Sequence, residues 1–411
     1  MKNFNLLIEH QCPQCGAPAV LKETDRLFTC EYCRVKSYLL EKDFFRYMLP
    51  SSAPEGKKLL YFPYWRFKGM IFSSTSGKVL HKFIDISHQA VISEYFPVSV
   101  GLRSQALKLR FVLPETKGRF LKTELTSKKA VQVFENQFIR SLHGPVIHQS
   151  YIGEMLSLIY SPFYVEEKVY DAVLNKPVSL LLPNNFSAAA HDDDRPQWQV
   201  QFVPAICLNC GWDLQGDRDS LVLNCKNCNS AWRPSGKRLK KLKFAYMLSN
   251  IDNVTNMPFW RIKAEISGIE LNSFADLIKI ANLPKVVQKE WENIDFCFWV
   301  PAFKIRPKSF LRLGRNMTLS QPREKLIPEL PDTRLHPVTL PVSEAAETLK
   351  TYLASFMKPQ KLVLSKLKDI KINPKSYLLV YIPFEEKHHE LTQPLFHLAI
   401  NKNTLRFAGN L

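Results

Sequence analysis

Eight of the nine cysteines form two sets with the same internal spacing. In each set two residues separate the members of a pair, and fourteen residues separate the two pairs. A Cys-x-x-Cys turn brings two thiolates to one point, and two such turns complete a tetrahedron around a metal ion. The spacing therefore predicts one metal site in each half of the chain. The predicted ligands are Cys12, Cys15, Cys30 and Cys33 in the first set, and Cys207, Cys210, Cys225 and Cys228 in the second.

The chemistry of the ligands favours structural zinc. Four thiolates close the coordination shell, whereas a catalytic zinc keeps one position open. We therefore expect two structural Zn²⁺ ions, with iron held by the same thiolates as the alternative. Disulfides are the other alternative, but polar residues near the N-terminus do not fit a secretion signal, and a reducing cytoplasmic location is expected.

The residue after each second cysteine agrees with this interpretation. A metal knuckle needs a residue at positive φ there, and Gly16 and Gly211 supply it in the first knuckle of each set. The second knuckles carry Arg34 and Asn229; Asn tolerates this conformation and Arg does so less readily. Both sets resemble the zinc-ribbon family with rubredoxin-like knuckles. A ribbon this small is expected to fold only with its metal, and each ribbon is expected to unfold independently of the other.

Net charge indicates an anionic partner. The chain of 411 residues carries +18, of which +6 lies up to Arg195 and +12 from Pro196 onward. Nucleic acid and an anionic membrane surface both fit such a charge, and the C-terminal half is the expected contact surface. No apolar run reaches the ~18–20 residues of a membrane span, so no transmembrane segment is expected.

The motifs around the cysteines recur at a constant displacement. PYWRFK (63–68) recurs as PFWRIK (258–263), 195 residues later, and the cysteines are displaced by the same number. Self-similarity of this length predicts an internal duplication. The predicted fold is α+β and β-rich, with two tandem repeats, each a four-cysteine zinc ribbon followed by a small antiparallel-sheet module with one helix. The predicted segments are ribbon 1 (1–40), module 1 (41–185), a linker (186–200), ribbon 2 (201–234) and module 2 (235–411).

Local patterns predict the main elements of each module. One helix is expected from Ser127 to Leu142, and a second from Ser343 to Met357 with Ser343 as its N-cap. The stretch 59–72 is expected to be an edge strand, or two strands broken at Pro63, because proline cannot serve a central ladder. Residues 19–22 and 27–29 are expected to form a hairpin.

Two sets of residues are candidates for partner binding. The repeated aromatic-basic motif is either a partner surface with stacking aromatics or a core strand whose cations lie in solvent. Its residues are Trp65, Arg66, Trp260 and Arg261. A cationic run after the second ribbon is either an anion-binding segment or a solvated face of a short helix. Its residues are Lys237, Arg238, Lys240, Lys241 and Lys243.

No constellation predicts catalysis. His388 and His389 lack metalloprotease spacing, Cys297 lies in an apolar run, and there is no phosphate-binding Gly-rich loop. The sequence therefore predicts a non-catalytic adaptor for a protein partner, with nucleic-acid binding by the basic C-terminal half as the alternative. The Cys-Pro-x-Cys-Gly knuckle (12–16) with the proline-aromatic motif at 61–68 and 256–263 resembles bacterial zinc-ribbon proteins of phage-shock-like membrane-stress systems, which implies a partner-binding role near membranes.

Overall fold

The computed structural model describes residues 6–40, 43–75, 78–139, 145–179, 200–236, 238–251, 253–359 and 365–406. The predicted linker (except residue 200), Lys237 and the expected end of the first helix at 140–142 lie outside these residues. As predicted, the chain is β-rich with few helices.

The strands and helices are numbered in chain order. The strands are β1 (Leu7–Gln11), β2 (Pro18–Lys22), β3 (Leu27–Thr29), β4 (Lys36–Leu40), β5 (Phe45–Met48), β6 (Leu60–Thr75), β7 (Val79–Gln89), β8 (Lys108–Phe111), β9 (Arg119–Phe120), β10 (Val146–Val165), β11 (Val169–Asp171), β12 (Lys176–Pro177), β13 (Gln201–Pro204), β14 (Leu223–Cys225), β15 (Ser230–Ser235), β16 (Arg238–Leu242), β17 (Phe244–Met247), β18 (Val254–Ser267), β19 (Phe298–Pro301), β20 (Leu326–Ile327), β21 (Arg334–Leu335), β22 (Lys371–Glu386), β23 (Glu390–Gln393) and β24 (Leu398–Asn401). The helices are α1 (Arg103–Ala106), α2 (Ser127–Ile139), α3 (Phe274–Ala281), α4 (Pro307–Ser320), α5 (Val342–Glu347), α6 (Leu349–Phe356) and α7 (Lys402–Arg406).

Two large sheets are built around two long antiparallel pairs. In the first sheet β6 pairs with β10, β7 lies on the other side of β6, and β5 runs parallel to β10. In the second sheet β18 pairs with β22, β19 lies on the other side of β18, and β17 runs parallel to β22. The short strand β9 runs parallel to β6, and the short strand β21 runs parallel to β18. Each long strand is therefore central in its sheet and has neighbours on both sides.

The prolines of the repeated motif explain why the edge-strand expectation for 59–72 is wrong. Strand β6 continues through Pro63, at the point where its pairing with β7 ends. The carbonyl of Pro63 accepts from Ala90, and the carbonyl of Ala90 accepts from Glu124 and Leu125 instead of from the missing proline N–H. In the second sheet the carbonyl of Ala302 accepts from residues 339 and 340 in the same way. The proline thus costs no ladder hydrogen bond, because a third segment donates in its place.

Helices depart from the sequence-based expectation mainly in the second half. The first predicted helix is confirmed as α2 up to residue 139. The second is divided into α5 and α6 at Thr348, and its N-cap is Pro341 rather than Ser343. The expectation of one helix per module is wrong for both modules, because the first also contains the short helix α1 and the second also contains α3, α4 and α7.

The helices pack in layers against the sheets. On one face of the first sheet, α2 packs on Trp65 and Phe67. On the opposite face, Met70 and Phe72 join the core that α6 and the second sheet share. Helix α6 therefore belongs to both halves of the molecule, and the side chains of Ser150 and Thr351 form a buried hydrogen bond of 2.6 Å beside it. No helix in the described ranges is long and apolar enough to span a lipid bilayer.

Candidate metal centres

The eight predicted ligands are confirmed as two four-cysteine groups that could each hold a metal ion. Within each group all sulfur atoms lie within 4.8 Å of one another. The closest contacts are 3.7 and 3.6 Å in the first group, Cys12–Cys33 and Cys15–Cys30, and 3.5 Å in the second, for both Cys207–Cys228 and Cys210–Cys225. Zinc–sulfur bonds of about 2.3 Å in a tetrahedron place sulfurs about 3.8 Å apart, whereas a disulfide needs about 2 Å. All eight thiols are free, so both groups fit a tetrahedral metal ion.

The knuckle backbone has the predicted conformation at all four turns. Gly16, Gly211, Asn229 and Arg34 have φ values of 72°, 74°, 52° and 59°. The turns at Gly16, Arg34 and Gly211 are closed by the N–H of that residue, which donates to the carbonyl of the first cysteine of the turn, as from Gly16 to Cys12 at 2.9 Å. Arg34 adopts a conformation that disfavours side chains with a Cβ, so the fold of the ribbon, rather than the residue, sets this turn.

Hydrogen bonds to the sulfurs favour thiolates. The N–H of Cys33 donates to the sulfur of Cys30 and, with the N–H of Tyr32, lowers the pKa of Cys30 to about 6. In the second group the hydroxyl of Ser230 lies 3.0 Å from the sulfur of Cys228 and lowers its pKa to about 6. Desolvation and the neighbouring thiols raise the pKa of Cys33 and of Cys225 to about 12. Each group thus holds one thiol that favours the thiolate, the form that binds metal, beside one that releases its proton only when the metal binds.

Ser230 is a residue that the sequence analysis missed. Its hydroxyl accepts a hydrogen bond of 2.9 Å from the indole N–H of Trp232, which leaves its own proton for Cys228. Such a chain orients a ligand from outside the coordination shell. The corresponding position of the first ribbon is Val35, which has no hydroxyl. The only available signal was a serine two residues after the last cysteine.

The two ribbons share one small sheet. Strand β13, which leads into the second ribbon, pairs with β4 of the first ribbon in the order β13-β4-β3. The N–H groups of Arg26 and Leu27 donate to the carbonyl of Arg218, and the hydroxyl of Tyr38 donates to the carbonyl of Ser220 at 3.2 Å. Cys207 and Cys225 lie in a core with side chains of both ribbons. The expectation that each ribbon unfolds alone does not fit this packing.

The first ribbon is also joined to the first sheet, through strands and through charge. Strands β2 and β3 form as predicted but not as a hairpin, because β2 pairs with β1 and β3 with β4. In the turn between them Glu23 is buried and accepts from Arg66 at 2.6 Å and from Lys68 at 2.8 Å. Asp85 holds the other side of the Arg66 guanidinium at 2.8 Å. Burial alone would raise the pKa of Glu23, but the two cations outweigh it and hold the pKa below its ordinary value.

This burial corrects the partner-surface prediction for the aromatic-basic motif. Trp65, Trp260 and Arg66 are at most 2% exposed, so they offer no face to a partner. The indole N–H of Trp65 donates to the carbonyl of Leu125, and that of Trp260 to the carbonyl of Leu340. The alternative, a core strand with solvated cations, is right for the tryptophans and wrong for Arg66. Arg261 is half-buried and lies beside the ring of Trp299.

The part of the cationic run from Arg238 to Leu242 forms strand β16, not a helix, and Lys243 follows the strand. Strand β16 pairs antiparallel with β15. Leu239 packs in the core between the two ribbons and Leu242 in the core of the second sheet, whereas the described cations of the run are exposed. These cations are Arg238, Lys240, Lys241 and Lys243. The pairing places Arg238 and Lys240 on one face of the hairpin and Lys241 on the other, a division that the sequence alone does not give.

Comparison with known proteins adds no further assignment. No protein-family model matches the chain, and neither a curated protein nor a solved structure matches it. The likeness to zinc ribbons thus depends on the two cysteine groups and their knuckles.

Proposed function

We propose that the protein is a non-catalytic adaptor in which two structural Zn²⁺ ions hold a pair of ribbons in a fixed arrangement for a protein partner. The equal cysteine spacing, the sulfur distances and the matching strand pairings support a zinc ribbon and a sheet module occurring twice, by duplication. Iron binds the same ligand set, and metal analysis of the purified protein distinguishes the two. The proposed location is the cytoplasm, where the thiolates stay reduced.

The observation that carries the adaptor function is an apolar patch on the first knuckle of the second ribbon. Leu208, between two metal ligands, is 67% exposed, Trp212 is 59% exposed and Ile206 is 43% exposed. We call these three residues the knuckle patch. The metal and the turn at Gly211 fix the backbone that carries them, so little conformational entropy is lost when a partner binds. Tryptophan is also among the residues that contribute most energy to protein interfaces.

The proposed partner is a protein with a complementary apolar surface. A rigid, exposed tryptophan with aliphatic neighbours fits the centre of a small interface, where charged residues are depleted. The resemblance to zinc-ribbon proteins of phage-shock-like systems agrees with such a role.

Site-specific photocrosslinking tests the proposal. A photoreactive amino acid replaces Leu208 in the full chain, and the protein is irradiated in lysate from its own cells. Leu395 provides a matched control, because it is also a leucine, is also 67% exposed, and lies in a short turn of the second module. We expect a discrete crosslinked protein from position 208 that is absent from position 395 and is lost when Trp212→Ser is added.

Two results would contradict the adaptor function. One is the same crosslinked proteins from both positions. The other is a product from position 208 that persists in the Trp212→Ser protein with both metals bound. Measuring metal content in every variant separates loss of the patch from loss of the ribbon.

A further inference from the structure

The hairpin of β15 and β16 carries a row of cations on one face. Residues directly opposite each other in an antiparallel pair share a face, and Arg233 lies opposite Lys240 while Ser235 lies opposite Arg238. Lys241 lies opposite Trp232 and therefore belongs to the other face. The structure thus separates Arg238 and Lys240 from Lys241 and adds Arg233 to them.

The local sequence supplies no acidic residue for these cations, and none of them forms an ion pair within the part of the chain that the structure describes. From Ser220 to Ile251 the chain contains seven Lys or Arg and no Asp or Glu. Among the residues that the structure describes, none forms an ion pair with Arg233, Arg238 or Lys240. Like charges directly opposite each other destabilise a sheet, so this arrangement costs folding free energy that a bound anion would offset.

An aromatic side chain lies at the end of the row. The guanidinium of Arg233 donates to the hydroxyl of Tyr377 at 2.8 Å and lies 5.7 Å from its ring centroid. Tyr377 is on β22, is 37% exposed, and rests edge-on against the buried Trp260. Its position is therefore fixed by the second sheet, while part of the ring faces solvent beside the cations.

We propose that Arg233, Arg238, Lys240 and Tyr377, here called the basic face, bind single-stranded nucleic acid. Same-face residues along a strand lie about 6.7 Å apart, and cross-strand neighbours about 5 Å apart, so the cations form a compact row for successive phosphates. An aromatic ring beside the cations gives an unpaired base a stacking partner. A lipid headgroup would use the cations but not the ring, which is why nucleic acid is favoured over an anionic membrane. This activity uses a different surface from the knuckle patch and stands independently of it.

Fluorescence anisotropy tests the proposed nucleic-acid binding. The metal-loaded full chain is titrated against a dye-labelled oligothymidylate of about 20 nucleotides across a salt series. The basic-face variant is Arg233→Gln/Arg238→Gln/Lys240→Gln. The control variant, Lys226→Gln/Lys241→Gln/Lys243→Gln, removes the same charge from exposed positions that are not in the row. Single strands release about 0.7 counterion for each phosphate contact, so the slope of log K against log salt should fall by about 2 units in the basic-face variant.

We expect the basic-face variant to bind at least about tenfold more weakly at low salt, and the control variant to bind nearly as tightly as the wild type. Tyr377→Leu, which keeps every charge, should weaken binding by about tenfold with an unchanged salt slope. Equal losses in the two triple variants would overturn the proposal, because charge would then act diffusely. Absence of binding at low salt would overturn it as well. The proposal would also be overturned if the basic-face variant lost binding to vesicles containing phosphatidylserine but kept its binding to the oligonucleotide.

Discussion

Replacing Glu23 by glutamine tests how the first ribbon is held on the first sheet. The side chain of Glu23 is 2% exposed and accepts from Arg66 and Lys68, whose side chains are 2% and 0% exposed. Glutamine keeps the shape and loses the charge, so it leaves these two cations buried without that carboxylate. Removing one partner of a buried ion pair costs about 3–5 kcal/mol, because the remaining charge cannot be hydrated. Against a typical total of about 5–15 kcal/mol, the loss should be large.

Chemical denaturation of the metal-loaded protein measures this loss. The matched control is Glu9→Gln, because Glu9 also belongs to the first ribbon and also contacts two cations, Lys108 and Arg110. Its side chain is 39% exposed, so water hydrates the remaining cations and the denaturation midpoint should change little. Adding Lys68→Met to Glu23→Gln should recover part of the lost stability, because it removes one of the buried charges.

The pH dependence gives an independent check with a defined sign. The pKa of Glu23 is lowered in the folded protein, so its contribution is complete above the pKa of the unfolded chain and is lost as the pH falls through the folded pKa. The stability difference between wild type and Glu23→Gln should therefore narrow in acid. Arg110 and Lys108 lower the pKa of Glu9 as well, so the stability difference between wild type and Glu9→Gln also narrows in acid, but it starts from a much smaller value because Glu9 is exposed. A Glu23→Gln midpoint equal to that of Glu9→Gln would refute the argument from burial.

Three further substitutions have defined outcomes. Cys207→Ser should lower metal retention in both ribbons, because the ribbons share a sheet and a core. Chelator titration with elemental analysis measures this, and the loss of one metal alone would show that the ribbons are independent. Ser230→Ala should weaken metal binding at the second site by about tenfold or more, measured by competition with a chelator, and should leave the first site unchanged. Gly314→Ala should destabilise the protein by about 1–3 kcal/mol in thermal unfolding, because a Cβ on α4 would lie 2.3 Å from a ring carbon of Tyr352; an unchanged Tm would contradict the close packing.

The metal sites could be predicted from sequence because their determinants are local. Ligand spacing and the residue after each knuckle lie within a few positions of one another, and the structure confirms both. Helix α4 was also accessible, since Pro307 at its first turn and the buried Phe310, Leu313 and Met317 form a helical pattern.

The contacts between distant segments could not be predicted in this way. The pairing of β4 with β13 uses backbone groups, which carry no residue-specific signature, and joins segments more than 160 residues apart. The burial of Arg66 depends on Glu23, 43 positions away in a turn that looks solvent-exposed. Charged residues are rarely buried unless they are paired, so a charged strand is read as exposed until its partner is known.

The cations of the repeated motif are buried in the first sheet and more exposed in the second, and the proposed duplication gives this difference a physical meaning. Arg66 and Lys68 lie under the first ribbon and beside the helices of the second half, so the first sheet is covered on both faces. At the corresponding places in the second sheet Arg261 is half-buried and Lys263 is exposed. When repeats are stacked, the last repeat needs a polar outer face. In the first sheet the cations are covered and must be neutralised by pairing. In the second sheet the corresponding cations supply the polar outer face. The arginine and lysine therefore suit both positions. Their surroundings decide whether they form buried ion pairs, as Arg66 and Lys68 do, or lie at a more exposed surface, where Lys263 pairs with Asp295.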